Sequence, residues 1–468
     1  MKRPVDDWQA CCLRRAGFAA LLLVTAAFAS PRPAHAITLD ARGVGQALVF
    51  PYYTVNGGQD TLVSIVNDGD TGSASYLYAN EGYNGRTVLQ IVVYLPPHDT
   101  WTARISAPAG ADGAALFTSD TSCTYPAIPQ TGLAFDARSY AGGSGVYPAD
   151  GGPHSISRTR EGYLQVAEVG SVISGSALDL AIRHPAPGSA PSCEGTGASA
   201  GQYMTKPMGR LGGSAVIVNV GEGTFFSYAA DALAGFTDEM LFNSETLLWA
   251  SPFRITNDPT SNFPNGAVAH VVSDDAPLAL DFPDGIDAAS AVFMENMIAN
   301  DYLVAAGLGA NTDWIITFPT KPLYTDPVFM RFEGSIPLYA PFVEPFQAPG
   351  LSRVRVRAMQ YDQEEGHDAA SVLTLLWTVN VVSFQADADV SGVLGSALAV
   401  PVAPFAEAGT MTLDLAHGGD ESHALTTPDG RVLHGLPATG FMVYNIINAN
   451  AAPGKLANYG GTFPYRST

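Results

Sequence analysis

The densest group of acidic side chains in the sequence lies in the segment YDQEEGHD, which contains Asp362, Glu364 and Glu365. A pair of carboxyl groups can serve as acid and base in glycoside hydrolysis when the two face each other across a cleft and differ in pKa. Carboxyl groups this close in sequence are usually solvated together on one turn, and such a turn could also bind a divalent ion. We therefore treat the cluster as a candidate site without assigning it a catalytic role.

Two other segments resemble calcium-binding loops, because they carry several oxygen-bearing side chains within a few residues. One of them matches the beginning of a calcium loop, but its twelfth position is Leu398, where a bidentate Glu is needed. The sequence permits a looser Ca²⁺ site at either segment and indicates no other cofactor. The candidate ligands are Asp387 and Asp389 in one segment and Asn67, Asp68 and Asp70 in the other.

Patterns for nucleophilic catalysis and for zinc are incomplete. The segment around Ser144 lacks the last glycine of the G-x-S-x-G elbow that serine hydrolases use. His417 and His423 lie six residues apart, which is longer than the usual spacing of zinc-binding histidines. The sequence contains no complete catalytic motif, and we therefore expect a protein that is not an enzyme.

The composition excludes several classes of protein. The 468 residues include 23 Lys plus Arg against 44 Asp plus Glu, which gives a formal net charge of −21. An acidic chain repels phosphate backbones, so we expect no nucleic-acid partner. With 47% hydrophobic and only 14% charged residues, the chain is not intrinsically disordered. The 48 Gly and 33 Pro argue against a long helical bundle and favour a fold rich in turns.

Residues 1–36 have the pattern of a secretory signal peptide, with a basic beginning, an apolar stretch from Ala19 to Ala29, and Ala34-His35-Ala36 as the cleavage signature. The apolar stretch is too short to anchor the chain in a bilayer, and no other segment predicts a membrane span. Cleavage near Ile37 removes five basic and two acidic residues, and 18 basic residues then remain against 42 acidic ones. The sequence thus predicts an exported, acidic protein of the periplasm, cell surface or extracellular space.

Cysteine usage agrees with export. Two of the four cysteines lie in the signal peptide, and Cys123 and Cys193 remain in polar segments of the mature chain. An even number of cysteines in an exported protein predicts a disulfide. We therefore predict a bond between Cys123 and Cys193.

Short apolar segments separated by turn residues predict β-strands. Val88–Leu95 alternates between two faces of a strand. One face has Leu89, Ile91, Val93 and Leu95, and the other has Val88, Gln90, Val92 and Tyr94. Further strands are predicted in these ranges: 46–55, with Pro51 at an edge or bulge, 61–66, 73–78, 101–105, 163–172, 214–220, 224–228, 314–318, 354–359, 372–384, 410–415 and 440–447. A single helix is predicted over 288–300, with Asp287 as its N-cap. The fold class is therefore mainly all-β, with Ig-like or sandwich-type antiparallel sheets, one short helix and long Gly/Pro-rich loops.

The predicted strands suggest two units after the signal peptide. The first covers residues 37–208 and includes a loop-rich insertion over 107–160 and the disulfide. The second covers residues 209–468, includes the helix, and is free to share sheets with the first.

Five phrases resemble a family of exported proteobacterial proteins that are labelled hypothetical or cell surface proteins. They are GQALVFPYYTV (45–55), DTLVSIVN (60–67), YLPPHDTWTA (94–103), DWIITFPTK (313–321) and NYGGTFPYR (458–466). The resemblance spans most of the mature chain. It implies export and a mostly β fold, and it implies no catalytic residue.

These observations favour an exported, non-catalytic structural or binding protein, with a surface polysaccharide or a protein as its partner. The first alternative is a carbohydrate-binding or carbohydrate-active β-sandwich module, because aromatic residues are plentiful. The second alternative is an outer-membrane β-barrel, which is also exported, acidic and rich in strands.

Overall fold

The structure is a computed structural model, and it describes residues 36–143, 148–242, 267–273, 276–282, 285–328, 340–384, 389–448, 450–452 and 454–467. Residues 1–35 of the predicted signal peptide lie outside these ranges, as does Asp387 of one candidate calcium segment. Strands dominate the described residues, and nearly all neighbouring strands run antiparallel. The prediction of an all-β, sandwich-type fold is therefore confirmed.

Sixteen strands and two short α-helices precede residue 285 in the described chain. The strands are β1 (Ala36–Leu39), β2 (Ala47–Thr54), β3 (Asp60–Asn67), β4 (Gly72–Glu81), β5 (Thr87–Leu95), β6 (Thr100–Ser106), β7 (Ala115–Phe117), β8 (Thr124–Tyr125), β9 (Leu133–Ala134), β10 (Glu161–Val172), β11 (Met204–Thr205), β12 (Leu211–Asn219), β13 (Thr224–Ala229), β14 (Asp231–Ala234), β15 (Ala267–Ser273) and β16 (Ala276–Phe282). The helices are α1 (Arg138–Ala141) and α2 (Ala177–Ile182).

The rest of the described chain adds sixteen strands and two α-helices. The strands are β17 (Met294–Glu295), β18 (Met297–Leu303), β19 (Ala310–Thr317), β20 (Val354–Tyr361), β21 (Ser371–Leu375), β22 (Val379–Ser383), β23 (Ala399–Pro401), β24 (Ala408–Asp414), β25 (His417–Gly418), β26 (Glu421–Ser422), β27 (Ala424–Thr426), β28 (Val432–His434), β29 (Leu436–Pro437), β30 (Thr439–Ile447), β31 (Asn458–Pro464) and β32 (Arg466–Ser467). The helices are α3 (Gly285–Ala291) and α4 (Lys321–Thr325). Single 3-10 turns occupy Asn56–Gly58, Ile156–Arg160, Ala200–Tyr203 and Ala306–Leu308.

Four sheets contain most of these strands. A ten-stranded sheet has the order β16-β15-β1-β14-β2-β10-β4-β5-β8, with β11 paired to β10, and a six-stranded sheet has the order β13-β12-β3-β6-β7-β9. Two five-stranded sheets have the orders β21-β20-β24-β18-β32 and β23-β22-β19-β30-β31. The strand pairs β17-β29, β25-β26 and β27-β28 form separate two-stranded ribbons.

Strands with apolar residues on both faces separate two hydrophobic clusters. On β5, Leu89, Ile91 and Val93 belong to one cluster. Val92 and Tyr94 of the same strand belong to the other. The two predicted faces are therefore confirmed from Leu89 onwards, and the ten-stranded sheet is a middle layer that is buried on both sides. The placement of Val88 on the face of Val92 is wrong, because a register shift between β4 and β5 puts Val88 in the cluster of Leu89.

The second half of the chain packs directly on the first. On β19, Ile315 lies in the cluster that contains the β5 residues Leu89 and Ile91, whereas its neighbour Trp314 lies in the other cluster. The hydroxyl of Thr317 donates a hydrogen bond of 2.6 Å to the carbonyl of Pro51. Pro51 lies opposite a register shift between β2 and β10, so the bulge predicted from this proline is present.

Sheets cross the predicted boundary at residue 208. Strand β12 pairs with β3, and strand β14 pairs with both β1 and β2. All the described residues belong to a single compact unit. The strands after residue 208 thus complete sheets that begin with the first strands of the mature chain.

The predicted helix over 288–300 is largely wrong. Helix α3 ends at Ala291, and the chain continues as the strands β17 and β18. In β18, buried Ile298 and Tyr302 alternate with more exposed residues and pair with β24, so the two-residue period outweighs the helical propensity. Asp287 lies inside the helix rather than at its N-cap, and its carboxylate accepts a hydrogen bond of 2.7 Å from the Tyr324 hydroxyl. The described chain also has four short helices where one was expected.

The apolar run 372–384 forms two strands rather than one. Strand β21 ends at Leu375 and pairs with β20, whereas β22 begins at Val379 in a different sheet. The side chain of Asn380 accepts hydrogen bonds from the backbone N–H groups of Leu376 and Trp377, which stabilises the turn between the strands.

The predicted disulfide is confirmed. Cys123 and Cys193 are bonded, with their Cα atoms 5.5 Å apart. The bond joins the segment around β8 to the loop after α2, where short elements offer little packing. Closing a loop of 70 residues contributes about 4 kcal/mol in the chain-entropy model.

Within the described residues, we find no helix with the length and apolar character needed to cross a membrane.

Candidate functional site

A cavity of about 180 Å³ lies where strands from the two halves of the chain meet. Leu39 and Pro464 are exposed, so the cavity opens to solvent beside them. The residues that line it are Leu39, Asp231, Phe293, Glu295, Ile298, Ile316, Ala438, Thr439, Gly440, Pro464 and Tyr465. The two carboxyl groups in this lining make the cavity the strongest candidate site.

Asp231 is positioned by the pairing of β14 with β2, which places it opposite Val49. Its carboxylate accepts a hydrogen bond from the hydroxyl of Thr439, the first residue of β30. Burial raises the pKa of Asp231, and the Thr439 hydrogen bond only partly offsets this shift. Among the described residues, this carboxyl group therefore has one hydrogen-bond donor.

Glu295 is positioned by the two-stranded ribbon of β17 and β29, in which it pairs with Leu436. The ribbon requires a glycine at position 435, because a Cβ atom there would lie 2.0 Å from the backbone oxygen of Glu295. Burial raises the pKa of Glu295 to about 7, and the negative charge of Asp231 acts in the same direction. No described residue donates a hydrogen bond to its carboxyl group.

Tyr465 forms another part of the cavity wall. It links β31 to β32, and its hydroxyl donates hydrogen bonds to the backbone oxygens of Ile315 (2.8 Å) and Phe441 (3.1 Å). Burial raises the pKa of this hydroxyl well above its usual value. Tyr465 thus stays neutral and its hydroxyl is already engaged, so it contributes an aromatic surface.

The lining therefore combines two acidic groups with apolar walls. None of the lining residues in the described chain is Lys, Arg or His. An ionised carboxylate in such surroundings needs a counter-charge or hydrogen-bond donors, and a ligand can supply them. The arrangement can hold a cation or a donor-rich group, and it can exchange a proton near neutral pH.

A second group of charged side chains includes none of the cavity residues, and each of its members forms an ion pair within the group. Arg158 donates hydrogen bonds of 2.6 and 2.9 Å to Glu81 and of 2.8 and 2.6 Å to Asp150. Arg86 donates hydrogen bonds of 2.7 and 3.0 Å to the two oxygens of Asp326. All five side chains are at most 2% exposed. We refer to these five residues as the buried ion network.

The buried ion network joins distant segments of the chain. Glu81 and Arg86 lie around the turn between β4 and β5, Asp150 and Arg158 lie in the predicted insertion, and Asp326 follows α4. The two arginines also make contacts outside the network. The Arg158 guanidinium lies 4.3 Å from the centre of the Tyr140 ring, and Arg86 donates hydrogen bonds to two backbone carbonyls. These contacts are those of a structural connection, in which each charged side chain is paired within the protein.

The acidic cluster of the sequence lies on a turn after β20. The carboxylate of Asp362 accepts hydrogen bonds from the backbone N–H groups of Glu364 (2.8 Å) and Gly366 (2.7 Å). Glu364 and Glu365 are exposed. The cluster therefore caps a solvated turn, and its carboxyl groups do not face each other across a cleft.

In the candidate calcium segment around Asn67, two of the three predicted ligands already bind other parts of the protein. Asn67 is buried and donates hydrogen bonds to the carbonyls of Thr71 and Pro96. Asp68 forms an ion pair of 2.7 Å with Arg210. Asp70 is exposed and lies 3.1 Å from His98.

The candidate calcium segment with Asp387 and Asp389 lies only partly within the described residues. Asp389 is exposed and begins the described residues after a gap, whereas Asp387 lies within that gap. In the described part of the chain, no three His, Cys, Asp or Glu side chains come together in a way that could hold a metal ion.

The histidines and tryptophans also have structural roles. His423 is fully buried, and its ring nitrogens lie within hydrogen-bond distance of the carbonyls of Pro341 and Arg355. Trp101 and Trp314 are fully buried, and Trp249 lies outside the described residues. The described tryptophans do not form an exposed row for stacking sugars.

Sequence reasoning missed both carboxyl groups of the cavity. Asp231 and Glu295 are far apart in the chain, and neither belongs to a recognisable motif. The strand pairs β14-β2 and β17-β29 bring them together, and the second pair lies in a segment predicted as helix. The sequence offers one local signal, since each of these acidic residues lies beside apolar residues in a short segment.

Comparison of the chain with protein families, with curated proteins and with solved structures finds no match.

Proposed function

We propose that this protein is an exported, non-catalytic binding protein of the periplasm or cell surface, and that the cavity between β14, β17 and β30 holds a small ligand. One observation carries the proposal: Glu295 places a carboxyl group in a cavity open to solvent, without a hydrogen-bond donor from any described residue. A fold gains no stability from such a group, whereas a binding site uses it.

Export is supported by three features of the chain. The N-terminal segment has a basic, an apolar and a small-residue part in the order of a signal peptide. The Cys123–Cys193 bond is of the kind that persists in oxidising compartments. The five phrases that resemble a family of exported proteins point the same way.

Cell fractionation followed by N-terminal sequencing tests export. We expect the protein outside the cytoplasm with a first residue near Ile37. A cytoplasmic protein that retains residues 1–36 would contradict this part of the proposal.

Methyl NMR with a library of small fragments tests ligand binding at the cavity. Ile298 and Ile316 line the cavity, so their methyl signals should shift with a bound fragment. Ile217 lies in the other hydrophobic cluster and should not shift. If no fragment of a chemically varied library moves the two cavity signals, the cavity does not bind small ligands and the proposal fails.

Filling the cavity provides a matched control. Ala438→Leu adds three carbon atoms at the cavity wall, whereas Ala370→Leu adds the same atoms at an exposed position. We expect the first variant to lose fragment binding and the second to keep it. Because Ala438→Leu can also strain the core, the Ile217 signal serves as the check that the variant is folded.

A carbohydrate-active protein is the second candidate function, and the occurrence of two carboxyl groups in one cavity favours it. Cleavage of a glycosidic bond needs room for a sugar on each side, whereas 180 Å³ holds about one ring. Release of dye from nitrophenyl glycosides, lost in Glu295→Gln, would favour this candidate over simple binding.

A further inference from the structure

We infer that the ligand of this cavity is a compact organic ammonium ion with an apolar body. This inference rests on the proposed function, since it names the chemistry of a ligand at the same cavity. It follows from the charge of the lining, its apolar character and its volume.

The charge of the lining favours a cation. Asp231 and Glu295 are the ionisable acids of the lining, and no lining residue of the described chain carries a positive charge. Thr439 supplies one hydrogen bond to Asp231, while Glu295 receives none from the described residues. An ammonium group has three N–H donors and a positive charge, so it can donate to Glu295 and weaken the repulsion between the two carboxylates.

The other lining residues exclude competing ligand classes. Calcium takes six to eight oxygen ligands, and the described chain has no group of three acidic, histidine or cysteine side chains placed to hold a metal. A sugar presents hydroxyl groups on all sides, whereas the rest of this lining is mainly hydrocarbon. The apolar lining consists of Leu39, Phe293, Ile298, Ile316, Ala438 and Pro464, together with the ring of Tyr465.

The volume sets the size of the apolar body. Cavities of about 150 Å³ hold one benzene ring. At about 180 Å³, this cavity has room for such a ring with one short arm. Benzylammonium is therefore a probe of suitable size, and benzyl alcohol is its neutral counterpart.

The groups around Glu295 determine how binding depends on pH. Asp231 on β14 and Tyr465 between β31 and β32 share the cavity, and Tyr465 stays neutral. His434 on the adjacent β28 is exposed. The Glu295 carboxyl must lose its proton to pair with an ammonium ion, so binding should tighten as the pH rises from about 5 to about 8.

Isothermal titration calorimetry of the mature protein with both probes tests the inference. At pH 8 we expect benzylammonium to bind at least about ten-fold more tightly than benzyl alcohol, which corresponds to one charge-assisted hydrogen bond. Glu295→Gln should weaken benzylammonium binding by about the same factor and leave benzyl alcohol unchanged. Glu364→Gln removes an equal charge from the exposed turn and should change neither.

The outcomes separate the two proposals. If both probes bind equally and Ala438→Leu abolishes both, the cavity binds ligands but the preference for a cation is wrong. If neither probe binds while other fragments move the Ile298 and Ile316 signals, the ammonium class is wrong and the proposed function stands. If Glu295→Gln binds benzylammonium as the wild type does, the inference is overturned, and unchanged Ile217 signals verify that the variant is folded.

Discussion

The buried ion network shields its carboxyl groups from water completely and the cavity shields Asp231 and Glu295 partly, and the two regions differ in the partners that they provide. In the buried ion network, Arg158 pairs with Glu81 and Asp150, and every charge has a partner within 3 Å. In the cavity, Asp231 has one hydroxyl donor and Glu295 has none among the described residues. The same fold therefore pairs its acids completely in one place and leaves them incompletely paired in another.

This difference concerns how the cost of shielding an acid from water is offset. Removing a charge from water is costly, and arginine partners with good geometry offset that cost. Glu161 shows a third solution, since this buried carboxylate accepts hydrogen bonds from the Tyr52 hydroxyl (2.8 Å) and the backbone of Ala397 (2.9 Å). The chain supplies donors to buried acids such as Glu161 but, within the described residues, none to half-buried Glu295, and this contrast supports the proposal that Glu295 contacts a ligand.

The two regions also respond oppositely to pH. Burial acts to raise the pKa of Asp150, but the hydrogen bonds and charge of Arg158 outweigh it and lower the pKa. Stability from Asp150 is therefore present above the usual carboxyl pKa and is lost as the pH falls below it. Glu295 has a raised pKa, so the folded protein binds its proton more tightly than the unfolded chain does. The stability linked to Glu295 therefore falls as the pH rises from about 4.5 to about 7.

The largest effect is expected when the buried ion network loses an arginine. Arg158→Met leaves Glu81 buried without its counter-charge and Asp150 with only Arg86 at 3.9 Å, which should cost about 3–5 kcal/mol of unfolding free energy. Urea denaturation measures it. Arg138→Met is the matched control, because Arg138 is exposed beside Asp136 and such pairs contribute below about 1 kcal/mol. Equal losses in the two variants would mean that the buried ion network is not a special source of stability.

A smaller effect of opposite sign is expected in the cavity. Glu295→Gln removes a carboxyl group that is costly to ionise, so the variant should gain about 2 to 3 kcal/mol over the wild type between about pH 4.5 and about pH 8. Urea denaturation at several pH values gives the difference. The buried Lys321, whose pKa burial lowers to about 7, titrates in both proteins and cancels from it.

A pH-independent difference between Glu295→Gln and the wild type would contradict the raised pKa of Glu295. Glu364→Gln, on the exposed turn, should show no such pH dependence and controls for the change in net charge.

The smallest effect is expected at the single described donor in the cavity. Thr439→Val keeps the shape of the side chain but removes the hydroxyl that donates to Asp231. Because Asp231 then lacks a donor among the described residues, we expect a loss of about 1–2 kcal/mol at pH 8. Thermal unfolding at pH 8 and pH 5 measures it, and the loss should shrink towards low pH, because protonation removes the charge that the hydroxyl stabilises. An equal loss at both pH values would indicate lost packing instead.

Much of the sheet architecture could be predicted from local patterns. The alternation in Val88–Leu95 predicts the two faces of β5, and the loop positions of Cys123 and Cys193 in an exported chain predict their bond. The faces of a strand depend on residues that are neighbours in sequence, and the disulfide depends on the number of cysteines in the mature chain. A single sequence contains both kinds of information. The helix predicted over 288–300 is largely wrong, because most of this segment forms strands that pair with β24 and β29, which are distant in sequence.

The candidate site could not be predicted for the same reason. Asp362 and Glu364 are conspicuous because they are close in sequence, yet they lie on one turn, where the Asp362 carboxylate accepts a hydrogen bond from the Glu364 backbone and the Glu364 side chain is exposed. Asp231 and Glu295 share a cavity only through strand pairing between residues far apart in the chain. How far an isolated acid is shielded from water is set by strand pairing, so it is a property of the fold that the density of acidic residues in the sequence does not reveal.

The most direct test of this account is the titration of the Glu295 carboxyl group itself. NMR of protein labelled with ¹³C at the glutamate side chains, with Glu295 assigned by its absence in Glu295→Gln, follows its ionisation. We predict a midpoint near pH 7 in the free protein, moving down by at least one unit when benzylammonium is added. A midpoint near 4.5 in the free protein, the usual value for glutamate, would contradict the claim that this half-buried carboxyl group lacks a partner among the described residues.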